Sequence, residues 1–317
     1  MNNIPLEFSV VIPTYKNEKD IFELYSRLAF TLESIVNSFE IIFVNDGSPD
    51  SSWKNIKEIS KKDPRVKGIS FSKNYGQHQA IKAGVNCSKG RWITVMDCDL
   101  QDCPEDIPLM YQYALDNQFD MVIGQRSLRK DHFLTRFWAS FFYKIYNQLI
   151  DFKYDKKTAN FGVYSRKVID AVKLFQEDSQ SFGYLVNIVG FKKGFLPVNH
   201  GERKNGKSSY SFWNKLSLSL DLIISNSNKP MKVIIFVGFI ISLLSFLLAL
   251  YLVAKYFWNG SSVPGWFSLA TILFMQTGIV TFFFGITGLY INKVYMASKN
   301  RPSFIINELT FEQISEK

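Results

Sequence analysis

The chemistry that this sequence suggests centres on two acidic residues, Asp97 and Asp99, which stand one residue apart. They follow the apolar run 92–96, which predicts a buried β-strand. Because alternate side chains of an extended chain point the same way, both carboxylates can face one point at the carboxyl end of that strand. Neighbouring carboxylates repel each other unless a cation lies between them, and oxygen ligands on a loop suit Mg²⁺ or Mn²⁺ bound to a diphosphate. A solvated acidic loop is the alternative interpretation.

The elements that would position this pair alternate regularly along the first part of the chain. Apolar runs predict strands, and the segments between them carry helical spacing of apolar residues or helix-capping signals. The predicted strands lie in 8–15 (a strand and a turn), 39–44, 66–71, 92–96 and 121–124. The predicted helices cover 21–32, 52–61, 77–86 and 104–117. This alternation predicts an α/β fold with a mostly parallel sheet that is covered on both faces.

Further polar residues follow the predicted strands in the same way as the acidic pair. In an open α/β sheet the carboxyl ends of the strands form the edge at which a nucleotide would bind. We expect Tyr15, Glu18 and Asp46 to gather there with Asp97 and Asp99. Asp46 could accept a hydrogen bond from a base N–H or a ribose hydroxyl. A simple turn residue is the other interpretation of Asp46, because Asp followed by Gly marks a turn.

Beyond Gly124 the alternation ends and the sequence becomes basic and aromatic. Residues 133–150 predict an aromatic-rich helix that lies in a membrane interface or, alternatively, in a buried core. Arg136 and Ser140 lie four residues apart and hence on one face of such a helix.

Two short strands are predicted at 161–164 and 194–198, with a helix at 167–175 between them. The basic segment 200–210 contains glycine and predicts a loop that can close over phosphates and exclude water. A plain solvated loop is the alternative. Residues 212–225 predict an amphipathic helix that leads toward the apolar end of the chain.

Two long uncharged runs close the sequence and predict two membrane spans. Residues 233–253 form a run of 21 without a charge, which at a rise of about 1.5 Å per residue covers roughly one hydrocarbon core. Residues 266–291 form a second such run. A buried core helix is the competing interpretation of each. Basic residues flank the pair, whereas the connection between the runs holds only Lys255, so the positive-inside rule predicts both ends in the cytoplasm and the connection outside.

Composition limits the remaining classes of function. The chain of 317 residues has 37 Lys and Arg against 28 Asp and Glu, a formal net charge of +9 that fits nucleic acid, anionic lipid or phosphate ligands. No platform of interleaved basic and aromatic residues is evident, so we expect no nucleic-acid partner. Cys87, Cys98 and Cys103 lack CxxC spacing and predict free thiols on a cytoplasmic face. The first residues lack the features of a signal peptide.

Taken in order, several of these segments resemble a known family. The stretches 9–18, 44–48, 73–76 and 97–105 fall at spacings that are similar to those of family 2 glycosyltransferases with a GT-A-type fold. Adding the segment 203–210 and the two terminal spans, the chain resembles the polyprenyl-phosphate branch, which includes bactoprenol glucosyltransferases and dolichyl-phosphate mannose synthase. The resemblance covers nearly the whole chain.

The resemblance implies a role for each matched residue. It implies that Asp97 and Asp99 are catalytic and hold Mg²⁺ or Mn²⁺, with Gln101 as a further metal ligand. It places a second group around the nucleotide-sugar, namely Pro13, Tyr15, Glu18, Asp46, Lys73 and Asp97. It places a third group around the acceptor phosphate, namely Arg126, Arg136, Ser140, Arg203 and Ser208, of which Arg126 and Arg203 would also be catalytic.

The chain departs from the family pattern at two places. Asn160, before Phe161 and Gly162, stands where many relatives have an acidic residue followed by Phe-Arg, and the segment 206–210 lacks one lysine of the usual Gly-x-Ser-Lys-Tyr. The absence of an acidic residue at Asn160 need not prevent the reaction, because a lipid phosphate is already ionised at pH 7 and can attack an anomeric carbon without losing a proton to a base.

The predicted function is an inverting, metal-dependent transfer of a sugar from a nucleotide-sugar, such as UDP-glucose, to undecaprenyl phosphate at the cytoplasmic face of a membrane. Two alternatives are a processive polysaccharide synthase and a non-catalytic membrane scaffold. The predicted organisation is a transferase domain at 1–210, an amphipathic linker at 211–232, two spans with a short external loop at 233–292 and a cytoplasmic tail at 293–317. The resemblance also implies a homo-oligomer, a tetramer.

Overall fold

The computed structural model describes residues 6–126, 158–175, 181–199, 201, a set of positions between 236 and 258, 265–299 and 302–312. The strands are β1 (Phe8–Thr14), β2 (Phe39–Asn45), β3 (Val66–Phe71), β4 (Trp92–Val95), β5 (Met121–Arg126), β6 (Thr158–Ser165), β7 (Lys193–Val198) and β8 (Ile306–Leu309). The helices are α1 (Ile21–Glu33), α2 (Ser52–Lys62), α3 (Gln77–Cys87), α4 (Ile107–Asp116), α5 (Arg166–Lys173), α6 (Phe182–Ile188) and α7 (Trp266–Ser298). A 3₁₀ turn, Pro104–Asp106, precedes α4.

The strands form one eight-stranded sheet in the order β7-β5-β6-β4-β1-β2-β3-β8. The central strands β4, β1, β2 and β3 are parallel, as the sequence predicts. β6 runs antiparallel to both β4 and β5, and β8 runs antiparallel to β3. Every residue of β1 and β2 is buried, because helices cover both faces of a parallel sheet and its central strands consequently read as continuous apolar runs.

Alternate residues of β1 contribute to two different cores, as the period of a strand requires. Phe8, Val10 and Ile12 pack with α1, α2 and α4 on one face, whereas Val11 packs with α3, α5 and α6 on the other. Helix α3 lies very close to the sheet: a Cβ added to Gly84 would stand 2.4 Å from Cγ1 of Val11. This close contact fixes α3 against β1 and thereby also fixes the position of Gln77, the first residue of α3.

The residues predicted as a tail include a strand of the sheet, and their location in the cytoplasm stays a prediction. The segment that contains β8 belongs to the same compact unit as the sheet, whereas α7 belongs to a second unit. Glu308 accepts a hydrogen bond from Nε1 of Trp53 at 2.6 Å and pairs with Nζ of Lys57 at 3.2 Å. Phe304 stacks on Phe71 with ring centroids 4.8 Å apart. The end of the chain thus covers an edge of the sheet that would otherwise offer unpaired backbone groups.

Helix α7 contains the second apolar run of the sequence. Within the part of the chain that the structure describes, no helix has both the length and the apolar composition that crossing a membrane requires. The two predicted spans stay a prediction.

Candidate active site

The carboxyl ends of β1, β2 and β4 lie side by side in the sheet and carry the polar residues that the sequence singles out. Thr14 and Asn45 are partners in the last step of the β1–β2 register. Two non-glycine residues at this edge adopt the left-handed conformation, Lys16 with φ 57° after β1 and Leu100 with φ 59° after β4. Such residues cost free energy and are often found at functional sites, where the surrounding structure holds them.

The acidic pair follows β4 with the alternation that the sequence predicts. Asp97 and Asp99 are half-buried, whereas Cys98 between them is buried at 2% exposure. Burial raises the pKa of the Cys98 thiol, which therefore stays protonated at neutral pH. Asp102, fully buried, accepts a hydrogen bond from the Asp97 backbone N–H at 3.3 Å and so holds the start of the loop.

Gln101 ties this loop to a distant part of the chain. Its side-chain amide donates to the Gly201 carbonyl at 3.3 Å, and its own carbonyl accepts from the Gly201 N–H at 2.9 Å. Its backbone N–H donates to Oδ1 of Asp99 at 3.2 Å. Gln101 thus connects Asp99 with Gly201, near the start of the basic segment 200–210. Its predicted role as a metal ligand stays a prediction.

Asp46 follows β2 and has a different environment from the pair. It is 3% exposed, and its two carboxylate oxygens accept the backbone N–H groups of Tyr75 at 2.6 Å and Gly76 at 2.9 Å. Burial raises the pKa of the Asp46 carboxyl, although the two N–H groups oppose that shift. In the structure Asp46 anchors the loop between β3 and α3, and its predicted contact with a nucleotide is not tested by this arrangement.

Gly47 packs against the same loop from its backbone side. It has a positive φ of 60°, and an added Cβ would stand 2.3 Å from the carbonyl carbon of Lys73. Only glycine permits both the conformation and this close approach. The side chain of Lys73 is exposed, with Nζ 5.1 Å from the centroid of the Tyr75 ring.

The predicted nucleotide residues of the β1 end take up different positions. Pro13 is buried within β1, whereas Tyr15 is 41% exposed at the edge. Glu18 accepts the Ser51 N–H at 3.0 Å and donates its own N–H to Asp50 at 3.2 Å, so it joins the loop after β1 to the loop after β2. Tyr15 is therefore the member of this group whose side chain is open to a ligand.

Most of the predicted acceptor-phosphate residues lie outside the part of the chain that the structure describes. Arg126 ends β5 opposite Val198 of β7, but only its backbone is described. The other predicted members fall outside the described residues, namely Arg136, Ser140, Arg203 and Ser208. Asn160 lies in β6, again with only its backbone described.

One residue at the site escapes sequence reasoning. Gln77, the first residue of α3, donates its side-chain amide to Oδ1 of Asp97 at 2.6 Å. A glutamine at a helix start carries no sequence signal of its own. The neighbouring stretch 73–76, which ends in glycine after a strand, is the only local hint that this turn belongs to the site.

The donor set at the β4 end fits a cation that is shared with a substrate. Among the described residues no three His, Cys, Asp or Glu side chains come together to enclose a metal. Mg²⁺ usually takes one or two carboxylates from the protein and completes its shell with water and substrate phosphates. Asp97 and Asp99, two half-buried carboxylates in one loop, would suit that pattern.

Comparisons with known proteins indicate the family of the chain. The family model described as "Glycosyl transferase family 2" matches residues 9–172. The chain is 34% identical to an uncharacterized glycosyltransferase, YkcC, of Bacillus subtilis, over 96% of this chain and 94% of that protein. It is 33% identical to an undecaprenyl-phosphate 4-deoxy-4-formamido-L-arabinose transferase of Salmonella choleraesuis, over 96% of this chain and 94% of that protein. It is 30% identical to the bactoprenol glucosyl transferase of Shigella phage SfV, over 95% of this chain and 98% of that protein.

Among solved structures, a mannosyltransferase from Pyrobaculum calidifontis in complex with GDP-Man and Mn²⁺ matches with a TM-score of 0.49 and 14% identity. That match covers 93% of this chain and 88% of the other.

Proposed function

Because the chain belongs to glycosyl transferase family 2 and is a glycosyltransferase with a GT-A-like α/β fold, we propose that it transfers a hexose from a nucleotide-sugar to undecaprenyl phosphate. We further propose that the donor is a UDP-hexose such as UDP-glucose, that the reaction needs Mg²⁺ or Mn²⁺, and that it inverts the anomeric centre. Support for a polyprenyl-phosphate acceptor comes from relatives that are named for bactoprenol or undecaprenyl phosphate and match nearly the whole chain.

The observation that carries the proposal is the placement of Asp97 and Asp99. Both are half-buried in the loop after β4, within the residues that the family model matches. They would hold Mg²⁺ or Mn²⁺, which supplies a Lewis acid for the departing nucleoside diphosphate. Gln77 and the Gln101 N–H bind the two carboxylates from within the protein and so fix their directions before a ligand arrives.

The acceptor phosphate needs little chemical activation by the protein. A phosphate monoester has a second pKa of about 6, so most of it is doubly ionised at neutral pH. It can therefore attack the anomeric carbon of the donor without a catalytic base. The protein must then align the acceptor phosphate and offset its charge. Arginine suits this work because its guanidinium binds phosphate oxygens in pairs. We assign it to Arg126, Arg136 and Arg203, with Ser140 and Ser208 as further donors.

A membrane location follows from the acceptor and is part of the proposal. The strand β8 pairs with β3 in the catalytic sheet, so the chain that leaves the first unit before α7 returns to it afterwards. A segment that leaves and re-enters one unit must cross a bilayer an even number of times, if it crosses at all. Two spans at 233–253 and 266–291 satisfy that condition, with both termini in the cytoplasm. A tetramer remains part of the proposal on the ground of resemblance alone.

The test uses the purified full chain in lipid nanodiscs with undecaprenyl phosphate, Mg²⁺ or Mn²⁺ and a panel of labelled nucleotide-sugars. We expect mass spectrometry to find undecaprenyl phosphate carrying one sugar with at least one donor, and none after metal is removed with EDTA. The double variant Asp97→Asn and Asp99→Asn sets the background. The absence of a lipid-linked sugar with every donor would refute the proposal, and products that carry many sugars would favour a processive synthase.

A further inference from the structure

Gln77 and Asp97 form a contact that the proposed reaction does not by itself require. The two residues lie 20 positions apart in the sequence, and Nε2 of Gln77 stands 2.6 Å from Oδ1 of Asp97. The contact is exposed. Because water competes for exposed polar groups, a hydrogen bond of this kind adds little to folding stability. Its main physical consequence is to orient the carboxylate.

The backbone beneath Gln77 is held from three directions. The Gly76 N–H donates to Asp46 at 2.9 Å, and the Gly76 carbonyl accepts the N–H of Gln79 at 3.0 Å, which caps the start of α3. The close approach of Gly84 to Val11 fixes α3 on the sheet. The amide of Gln77 is therefore presented to Asp97 from a rigid support.

Three strand ends are joined by this chain of contacts. Asp46 after β2 binds the backbone of the loop after β3, and that loop delivers Gln77 to the acidic residue after β4. Because Gln77 binds one oxygen of Asp97, it restricts the direction of the whole carboxylate. Hydrogen-bond partners of metal ligands commonly have this role, and their removal typically weakens metal binding by about 10–100-fold.

We propose that Gln77 is a positioning residue for the cation-binding carboxylate Asp97, and that Asp46 acts on the cation site through it. This inference rests on the proposed function, since it presumes that Asp97 binds a divalent cation. It adds that the loop after β3 and the loop after β4 act as one unit in binding the cation.

The chain offers a matched control on α4. Nε2 of Gln112 donates to Oδ1 of Asp116 at 2.7 Å, which is the same pair of groups, with both side chains exposed where Asp97 is half-buried. The variants Gln77→Ala and Gln112→Ala thus remove the same kind of hydrogen bond, one at the sheet edge and one in the middle of a helix surface.

The experiment titrates Mn²⁺ into the full chain, with and without UDP, and follows free Mn²⁺ by electron paramagnetic resonance. For Gln77→Ala we expect the Mn²⁺ dissociation constant with UDP to rise about 10-fold or more, and for Gln112→Ala no change. Gln77→Asn keeps the amide but shortens its reach, so it should weaken binding to an intermediate degree. All three variants should melt within about 1–2 °C of the natural protein, since exposed substitutions rarely alter stability by more than about 0.5 kcal/mol.

A double-variant cycle tests the part assigned to Asp46. If Asp46 acts through Gln77, Asp46→Asn weakens Mn²⁺ binding in the natural background and weakens it several-fold less when Gln77 is already alanine. Equal Mn²⁺ affinities for Gln77→Ala and Gln112→Ala would overturn the inference while leaving the proposed function standing. No Mn²⁺ binding by the unsubstituted chain, with or without UDP, would overturn both the inference and the proposed metal dependence.

Discussion

The ends of β2 and β4 flank β1 on its two sides, and each is followed by an aspartate, yet the two aspartates have opposite environments. Asp46 is buried and accepts two backbone N–H groups, whereas Asp97 is half-buried and accepts a side-chain amide. The first holds protein backbone in place, whereas the second accepts a hydrogen bond from a side chain. One sequence signal, an acidic residue after a buried strand, therefore anchors a loop in one place and, under the proposed function, binds a cation in the other.

The largest expected effect comes from the open region. Asp99→Asn should lower turnover by about 100-fold or more, because it removes a charge that the proposed cation needs, and should leave the melting temperature within about 1–2 °C. Initial rates of lipid-linked sugar formation at saturating donor measure this. Asp116→Asn, an identical change at an exposed site on α4, is the control. Turnover above about a tenth of the natural rate would remove Asp99 from the cation site.

The buried region should respond in the opposite way, with stability affected first. In Asp46→Asn the amide nitrogen faces one of the two N–H groups, which leaves a buried donor unpaired at a cost of about 1–3 kcal/mol. Denaturant unfolding of the full chain, again with Asp116→Asn as control, measures the loss. If Asp46→Asn proves no less stable than the control, Asp46 is not the anchor that its two hydrogen bonds indicate.

Gly47 tests the role of the loop between β3 and α3 separately from the charge of Asp46, because it packs against that loop without carrying a charge. Gly47→Ala places a Cβ against the backbone of Lys73 and forces a left-handed conformation on an L side chain, at a cost of about 1–2 kcal/mol. We expect a comparable loss of stability and a raised KM for the donor. Gly183→Ala is the matched control, since an added Cβ there meets nothing within 4 Å. Equal KM values for the two variants would show that the loop position does not matter for donor binding.

The same contrast explains what could be predicted from the sequence. The five strands of the first 126 residues are confirmed, since a strand covered on both faces is mostly apolar and so stands out in the sequence. That Asp97 and Asp99 share one side stays a prediction, although both are half-buried around the buried Cys98 as the period of an extended chain requires. Features of this kind are local, and local patterns are legible in one sequence.

The features that were missed depend on contacts between distant residues. β8 is short and of mixed polarity, and it exists because Glu308 meets Trp53, which lies 255 positions away. Gln77 contacts Asp97 because α3 begins beside the end of β4, and the residues next to Gln77 in the sequence do not indicate that contact. The environment of Asp46 likewise follows from the loop that folds over it rather than from the Asp-Gly signal.

The smallest effect is expected at the outer anchor of the region after β4. Glu105 follows the acidic loop and pairs with Arg27 of α1 through two hydrogen bonds, of 2.8 and 2.7 Å, but its side chain is 53% exposed. Because water screens such a pair, Glu105→Gln should cost less than about 1 kcal/mol, well below the loss at the buried Asp46.

The pH dependence of that small loss identifies its origin. The hydrogen bond from Arg27 lowers the pKa of the Glu105 carboxyl below its ordinary value of 4.5. A lowered pKa in the folded protein means that the pair stabilises the fold above about pH 4.5 and that this contribution disappears as the pH falls through the lowered value. Unfolding curves of the natural chain and Glu105→Gln should therefore differ at pH 7 and converge as the pH falls below the lowered pKa of Glu105. A difference that persists undiminished at every acidic pH at which the protein stays folded would mean that packing, and not the ion pair, holds the loop after β4 to α1.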